Sequence, residues 1–311
     1  MRIWNLLYVG SCNHMMSIFS KKNRRRWLLT LLALPFVIHI IAIRYVPLAG
    51  WALAFFNYKP GKALNKLPFV GWKYFELIGF YKEDVINAVI NTGVLSGLGI
   101  LFSWFPMFLA ILLNEIRGKY RKKIVQTLIT IPNFVSWVIV YALCFVIFST
   151  EGLFNQLFNT TNTLLTNKNT IWYFMQGVSM WKTAGWNSII YLAAITGIDE
   201  TLFEAAMVDG ANRFQCILHI TIPSLMSTFI VVLLLQIGSF MNTGYDQYYA
   251  FSNIMVQSKL EVLDLYTYRI GMKTMDYSFA TAISILQSIV SVTLLMIVNG
   301  FSKLTRGEGI I

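Results

Sequence analysis

The sequence predicts an all-α integral membrane protein. Three observations support this fold class: a high apolar content, few charges, and basic residues that flank apolar stretches. Of the 311 residues, 56% are hydrophobic and 13% are charged. Soluble domains contain about 45–50% apolar and about 25% charged residues, so the composition excludes disordered, fibrous and nearly all soluble proteins. Each spanning helix needs about 20 mostly apolar residues, which allows about six spans in this chain.

Residues 1–26 are expected to form a basic cytoplasmic tail. They end in five closely spaced cations: Lys21, Lys22, Arg24, Arg25 and Arg26. A secretory signal peptide begins with its basic residues and has a short apolar core, whereas here the charge comes late and a long apolar stretch follows. We therefore expect the tail to be retained, with Met1, Met15 or Met16 as its start.

Residues 27–311 are expected to form one transmembrane domain without a separable soluble domain. Its apolar stretches lie near residues 27–48, 86–113, 125–149, 171–197, 226–246 and 277–301. Backbone groups inside a bilayer must be hydrogen-bonded within the protein, which favours a helix for each stretch. The sequence therefore predicts six transmembrane helices.

Basic residues set the expected topology. The loop of residues 115–123 contains five cations, and the positive-inside rule places it and the N-terminal tail in the cytoplasm. An even number of spans also returns the C-terminus to the cytoplasm and makes the loop of residues 199–225 cytoplasmic. The outer loops are then residues 49–85, 150–170 and 247–276. The first of these carries five lysines, but long loops count for less in this rule.

Other patterns argue against catalysis, metal binding and nucleic-acid binding by this chain. The three cysteines and three histidines are scattered, without the spacing of a disulfide framework, a metal site or a catalytic cluster. The net charge of +11 comes from basic residues beside apolar stretches rather than from a soluble basic face. No P-loop pattern occurs, so the chain is not expected to be an enzyme or to bind a cofactor.

The loop of residues 199–225 predicts two short helices joined by a turn on the cytoplasmic membrane surface. Asp199 suits the N-cap of a helix over residues 200–208. Gly210 is expected to end that helix, because glycine turns the chain sharply without steric cost. A second short helix should follow from Ala211, and Pro223 suits the first turn of the next span.

This loop resembles the EAA loop of ABC importer permeases. Glu204-Ala205-Ala206 is followed at the family's spacing by Gly210, Ile220 and Pro223, and six such positions coincide by chance on the order of 10⁻⁵ times. Ile222 stands where the family usually has leucine, a conservative departure. The continuation Asp209-Gly210-Ala211 resembles the maltose-type branch. Further stretches that resemble its oligosaccharide permeases are residues 45–48, 55–58, 112–117, 132–137, 191–194, 197–199 and 268–271.

The resemblance implies the transmembrane subunit of a type I ABC importer in a bacterial plasma membrane. It implies several partners: a second, similar permease in a heterodimer, two cytoplasmic ATPases that carry ATP and Mg²⁺, an extracellular solute-binding protein, an oligosaccharide substrate and membrane lipid. The loop would be the coupling helix that docks in a groove of the ATPase, a recurring mode of recognition. The coupling residues are then Glu204, Ala205, Ala206, Met207, Asp209, Gly210, Arg213, Phe214, Ile220 and Pro223.

Two groups of residues are candidates for the substrate pathway. The first, in the fourth span, is Trp181, Lys182, Trp186, Asn187 and Tyr191. The second, at the end of the fifth span, is Asn242, Tyr245, Asp246 and Gln247. Polar side chains beside aromatic rings suit sugar hydroxyls and pyranose faces, although an ordinary helix end has the same composition. Lys182 either lines the pathway, since a charge at membrane depth usually faces a cavity or a partner, or snorkels to the interface.

Alternatives remain open. An ion-coupled secondary transporter usually needs carboxylates inside the membrane, whereas the fourteen Asp and Glu residues fall in loops or at span ends. An importer of a peptide or another non-sugar solute would share the same loop. Within the sugar class, an acidic oligosaccharide would suit Lys182 and the cationic outer loops.

Overall fold

The computed structural model describes residues 26–62 and 67–306. The predicted basic tail lies outside the described residues except for Arg26. The chain divides into two compact units, Met1–Leu53 and Ala54–Ile311. The described residues are mainly helical, and in them an isolated bridge joins Phe56 to Phe69.

The helices follow one another along the described chain. They are α1 (Arg26–Phe55), α2 (Lys73–Phe80), α3 (Lys82–Leu101), α4 (Phe105–Glu115), α5 (Lys119–Thr130), α6 (Trp137–Phe148), α7 (Leu153–Phe158), α8 (Ile171–Ile195), α9 (Glu200–Val208), α10 (Arg213–Gly238), α11 (Asp246–Phe251), α12 (Gln257–Leu260), α13 (Leu263–Tyr268) and α14 (Tyr277–Arg306). Three of them contain or precede a π-helical turn: Ile41–Tyr45 in α1, Ile217–Thr221 in α10, and Arg269–Lys273 after α13.

Within the described residues, five helical segments are long and apolar enough to cross a membrane. They are Arg26–Phe55, Lys82–Glu115, Trp137–Phe158, Arg213–Gly238 and Tyr277–Gly300. The predicted fourth span corresponds to α8, whose 25 residues would reach about 37 Å. The helix α8 is less apolar than these five segments because it lies in the core of the protein. We call it the core helix. Ten of its residues are buried, Lys182 and Ser188 among them, so these two polar side chains face protein.

The stretch of residues 125–149, predicted as one span, is divided in the structure. After α5 the chain makes a 3₁₀ turn over Ile131–Phe134, and α6 begins afresh at Trp137 with Ser136 as its N-cap. Pro132 explains the break, because proline lacks the N–H that an α-helix needs and clashes with the preceding turn. Similarly, Phe102–Trp104 separates α3 from α4, and the fifth span ends at Gly238 rather than at residue 246.

Close helix packing around α8 fixes the position of the divided segment. A Cβ placed on Gly185 would lie 2.0 Å from the carbonyl oxygen of Ile129 in α5. Only glycine therefore allows α5 to approach α8 so closely. Further along α8, Tyr191 and Leu192 pack in a buried cluster with Ala110 of α4 and Leu225 of α10.

The segment of residues 247–276, predicted as an outer loop, packs along the sides of two spans. Asn91, nine residues after the start of α3, donates to the carbonyls of Ser258 and Glu261 at 2.9 and 3.0 Å. Gln287, ten residues after the start of α14, lies 2.7 Å from a carboxylate oxygen of Asp264. At about 1.5 Å per residue, these contacts lie about 14–15 Å along each helix. The segment is therefore inserted among the helices rather than standing outside them.

Candidate functional site

The short helix predicted over residues 200–208 is present as α9, Glu200–Val208. The side chain of Asp199 caps it, because its Oδ1 accepts from the backbone N–H of Thr201 at 3.0 Å. Hydrogen bonds from the backbone and then the hydroxyl of Thr201 lower the pKa of the Asp199 carboxyl. The carboxylate thus stays ionised at the positive end of the helix dipole. None of the residues of α9 is buried.

Gly210 ends α9 as predicted. Its φ of +81° lies in the left-handed region that favours glycine, and the N–H of Ala211 closes the turn on the carbonyl of Ala206 at 2.9 Å. Asn212 and Gln215 then form a reciprocal capping box, with distances of 2.9 and 2.7 Å. The second helix consequently begins at Arg213, two residues later than predicted.

The second helix is not a separate short helix, which corrects the sequence prediction. It runs without a break into the fifth span as α10, Arg213–Gly238. Pro223 lies in the first turn of the α-helical part of the span, Ile222–Gly238, as predicted, but a π-helical turn continues the helix ahead of it. A proline cannot donate to the carbonyl four residues earlier, and the π-helical turn Ile217–Thr221 comes directly before it. The π-helical turn thus changes the spacing of the backbone hydrogen bonds close to Pro223, the residue that has no N–H to donate.

The loop presents an apolar surface without a partner in the described structure. Phe214 is 72% exposed and Met207 is 62% exposed. Ala206, Gly210 and Ile220 line a shallow cavity of about 260 Å³ between the two helices. Exposed apolar residues grouped in this way mark interaction sites. Glu204, Ala205, Asp209 and Pro223 are exposed as well.

Arg213 has a partner within the chain. Its Nη1 lies 3.5 Å from Oε2 of Glu115, the last residue of α4. The side chain of Arg213 is 64% exposed and that of Glu115 is 37% exposed, so solvent screens the pair and it contributes little to stability. It nevertheless connects the start of α10 to the end of α4.

The fourth-span candidates divide between the core and the surface. Tyr191 is 1% exposed and belongs to the core. Lys182 is also buried, and its Nζ donates to the carbonyls of Asn133 and Pro132 at 2.7 and 3.2 Å. The lysine therefore neither snorkels nor projects into a cavity. Trp181, Trp186 and Asn187 are exposed.

The second group contributes to a cavity of about 530 Å³, which we call the tyrosine cavity. The rings of Tyr245 and Tyr268 stack there with centroids 4.3 Å apart. Gln287 places its amide nitrogen 3.0 Å from Oδ1 of Asn242 and 2.7 Å from Oδ1 of Asp264. Stacked rings beside amide and carboxylate groups form a surface suited to a polar, ring-shaped ligand.

Two members of that group lie elsewhere, and most residues of the cavity had not been predicted. Gln247 is buried and donates to the carbonyl of Met175 at 3.1 Å, and Asp246 is exposed outside the cavity lining. The additional residues include Asp264, Tyr268 and Gln287. A polar Gln287 in the middle of an apolar stretch was the signal that could have indicated them. The sequence places Asp264 in a predicted outer loop, but in the structure this residue lies beside a spanning helix. The sequence argument that the carboxylates fall in loops or at span ends did not foresee this position.

Comparisons with known proteins agree with this architecture. Residues 105–305 match the family of binding-protein-dependent transport system inner membrane components, and the chain belongs to this family. It is thus a permease component of an ABC transporter, a multi-pass protein of the bacterial plasma membrane.

Particular relatives share most of their length with this chain. It is 36% identical to Protein LplB of Bacillus subtilis (strain 168), over 93% of the chain and 92% of the relative. It is 38% identical to the polygalacturonan/rhamnogalacturonan transport system permease protein YteP of the same organism, over 94% and 95%. A bacterial alginate ABC transporter, solved with an alginate pentasaccharide-bound periplasmic protein, has a similar chain. It matches with a TM-score of 0.82 at 32% identity, over 93% and 99%.

Proposed function

We propose that this chain is a permease subunit of an ATP-driven importer that takes up oligosaccharides by alternating access. The observation that carries the proposal is the exposed α9 turn, joined directly to a spanning helix. It pairs with a second, similar permease in a heterodimer, and an extracellular solute-binding protein delivers the sugar. Two cytoplasmic ATPases bind ATP and Mg²⁺ and supply the energy.

The continuous helix α10 supplies a physical route for coupling. Its 26 residues extend about 39 Å, from the turn at Gly210 to Gly238. Met241 lies three residues beyond the end of α10, at the edge of the tyrosine cavity. Its main-chain carbonyl accepts a hydrogen bond from the side-chain amide of Gln287 at 2.7 Å. When the ATPases close on ATP and displace α9, the rigid helix moves the cavity wall. Coupling requires that ATP and substrate favour the same arrangement of the helices.

The substrate we propose is an oligosaccharide that carries uronate groups. Two of the similar proteins are named for polygalacturonan/rhamnogalacturonan transport and for alginate import. This chain has the stacked tyrosines and hydrogen-bonding groups of the tyrosine cavity for sugar rings and hydroxyls. The alternative, a peptide or another solute, predicts that oligosaccharides neither stimulate ATP hydrolysis nor are accumulated.

The test is reconstitution of the tagged chain with its copurifying partners in proteoliposomes. We expect ATP-dependent uptake of a galacturonate pentasaccharide, and loss of uptake in Glu204→Lys and Gly210→Pro. The first reverses a charge on α9, and the second forces φ to about −65° where the chain has +81°. Glu151→Lys makes the same charge change at an exposed residue of another loop and should leave uptake intact. If the chain purifies alone, or an ion gradient without ATP drives uptake, the proposal is wrong.

A further inference from the structure

A uronate substrate needs cations that are free to bind its carboxylates, and Lys182 is not one of them. Its ammonium is buried and bonded to the carbonyls of Pro132 and Asn133. Acidic sugar units must therefore meet other cations. Three of these lie together around one cavity: Lys168, Arg269 and Lys273.

This outer cationic cavity has a volume of about 750 Å³, within the range of about 300–1,000 Å³ of small-molecule sites. Four parts of the chain that are distant in sequence form its walls: the start of α3, Lys168 before α8, residues 254–261, and the π-helical turn Arg269–Lys273. Asn87 of α3 donates to the carbonyl of Ser258 at 2.8 Å, so the walls are connected. The site is a built concavity and not an isolated patch of lysines.

The charges in the cavity are not balanced. Arg269 pairs with Glu261 and donates to Oγ of Ser252 at 2.9 Å, so its guanidinium is fixed and neutralised. Neither Lys168 nor Lys273 has a carboxylate within 4.0 Å in the described part of the chain. Asp84 adds one negative charge at the start of α3. Two unpaired ammonium groups facing one carboxylate leave the cavity with a net positive charge.

The π-helical turn separates this cavity from the tyrosine cavity. Arg269 and Lys273 line the outer cationic cavity, whereas Gly271 and Met272, between them in sequence, line the tyrosine cavity. Contacts with aromatic rings connect the two cavities across this turn. The ammonium of Lys273 lies 5.6 Å from the ring centre of Tyr249, and Tyr249 meets Tyr268 edge-on at 5.8 Å.

A sugar acid carries a carboxylate and a pyranose ring in one unit, so it needs a cation and an aromatic face close together. We infer that the outer cationic cavity is a subsite for the carboxylate of a uronate unit, which Lys168 and Lys273 bind while the tyrosines contact the neighbouring ring. This inference rests on the proposed import of oligosaccharides. It adds the residues that distinguish an acidic sugar from a neutral one.

The test compares galacturonate pentasaccharide with its methyl ester, which keeps the sugar rings but removes the charges. In the reconstituted transporter, the double variant Lys168→Gln/Lys273→Gln should raise KM for the acid about fivefold to tenfold, as expected for charge contacts of two exposed lysines. The KM for the ester should not change. Lys59→Gln/Lys62→Gln removes two charges from another predicted outer loop and should alter neither KM.

The outcomes separate the subsite from the proposed function. An equal rise in KM for the acid and for the ester overturns the subsite, because it is the result expected if the lysines contact the binding protein or support the fold. The subsite is also overturned if the Lys59/Lys62 control raises KM for the acid as much as the double variant does. That result would indicate a general electrostatic effect of the positively charged surface. Uptake of neither sugar by the wild type contradicts the proposed function instead. Binding of fluorescently labelled galacturonate pentasaccharide to the purified permease, wild type beside double variant, then tests the subsite without transport. Equal binding overturns it.

Discussion

The ammonium of Lys182 donates to the main-chain carbonyl of Asn133 at 2.7 Å and so connects the core helix α8 to the break between α5 and α6. The same nitrogen lies 5.2 Å from the ring centre of Trp137, the first residue of α6. Helix ends leave carbonyls without intrahelical partners. The buried lysine thus supplies a donor to the carbonyl of Asn133, whereas the carbonyl of Pro132 also accepts from the N–H of Val135 at 3.2 Å.

We therefore expect Lys182→Met to destabilise the protein by about 1–3 kcal/mol, because two carbonyls lose a charged donor. Thermal unfolding in detergent measures this change. The preference between acidic and neutral sugars should stay the same, since the ammonium does not face substrate. Lys59→Met, at an exposed position, is the control and should unfold like the wild type. A changed sugar preference with unchanged stability would instead place Lys182 in the pathway.

Gly185→Ala should be severely destabilising. The added Cβ would lie 2.0 Å from the carbonyl oxygen of Ile129, and overpacking of this kind costs about 1–3 kcal/mol or more. Gly177→Ala is a matched control on the same helix, because nothing lies within 4 Å of its Cβ position. The melting temperatures of the two variants, measured side by side by thermal unfolding, test this prediction. Equal melting temperatures would mean that α5 and α8 are further apart than described.

Asn212→Ala should loosen the start of α10. It removes the side-chain acceptor for the N–H of Gln215, and loss of an N-cap costs about 1 kcal/mol. Hydrogen exchange at residues 213–216 should accelerate about fivefold, as about 1 kcal/mol predicts. ATP hydrolysis should then respond less to the loaded binding protein. Ser224→Ala removes only a bond to the carbonyl of Ile220 in the same helix and should leave exchange at residues 213–216 unchanged.

Gln287→Leu should disrupt the tyrosine cavity. The substitution takes a donor from the carboxylate of Asp264 and leaves its other oxygen with the N–H of Gly244 at 2.7 Å. An unsatisfied charged group costs about 1–3 kcal/mol or more. We expect a lower melting temperature together with a higher KM for sugar.

Ser288→Ala is the control for that substitution, since its hydroxyl bonds only to the carbonyl of Ser284 on its own helix. Unaltered KM in Gln287→Leu, with the fold intact, would remove the tyrosine cavity from the substrate pathway.

Local signals in the sequence were sufficient for the helix and turn of residues 199–212. Asp199 and Gly210 act on neighbouring residues through a cap and a left-handed turn, so the limits of α9 were predictable from residue type and spacing. The long apolar stretches likewise predicted most of the spans, because a helix is the simplest way for a single segment to satisfy its backbone groups in lipid. The family resemblance rested on the same short-range spacing.

Only the tertiary structure decided which polar groups meet. Lys182 and Asn133 are separated by 49 residues, and Asp264 and Gln287 by 23. Their pairing depends on how α8, α13 and α14 pack, which hydrophobic periodicity does not encode. The sequence by itself therefore determined the membrane class, most of the spans and the helix–turn of residues 199–212, all of which depend on local chemistry. The cavities depend on contacts between distant segments, and so their residues could be assigned only after the helices were placed in space.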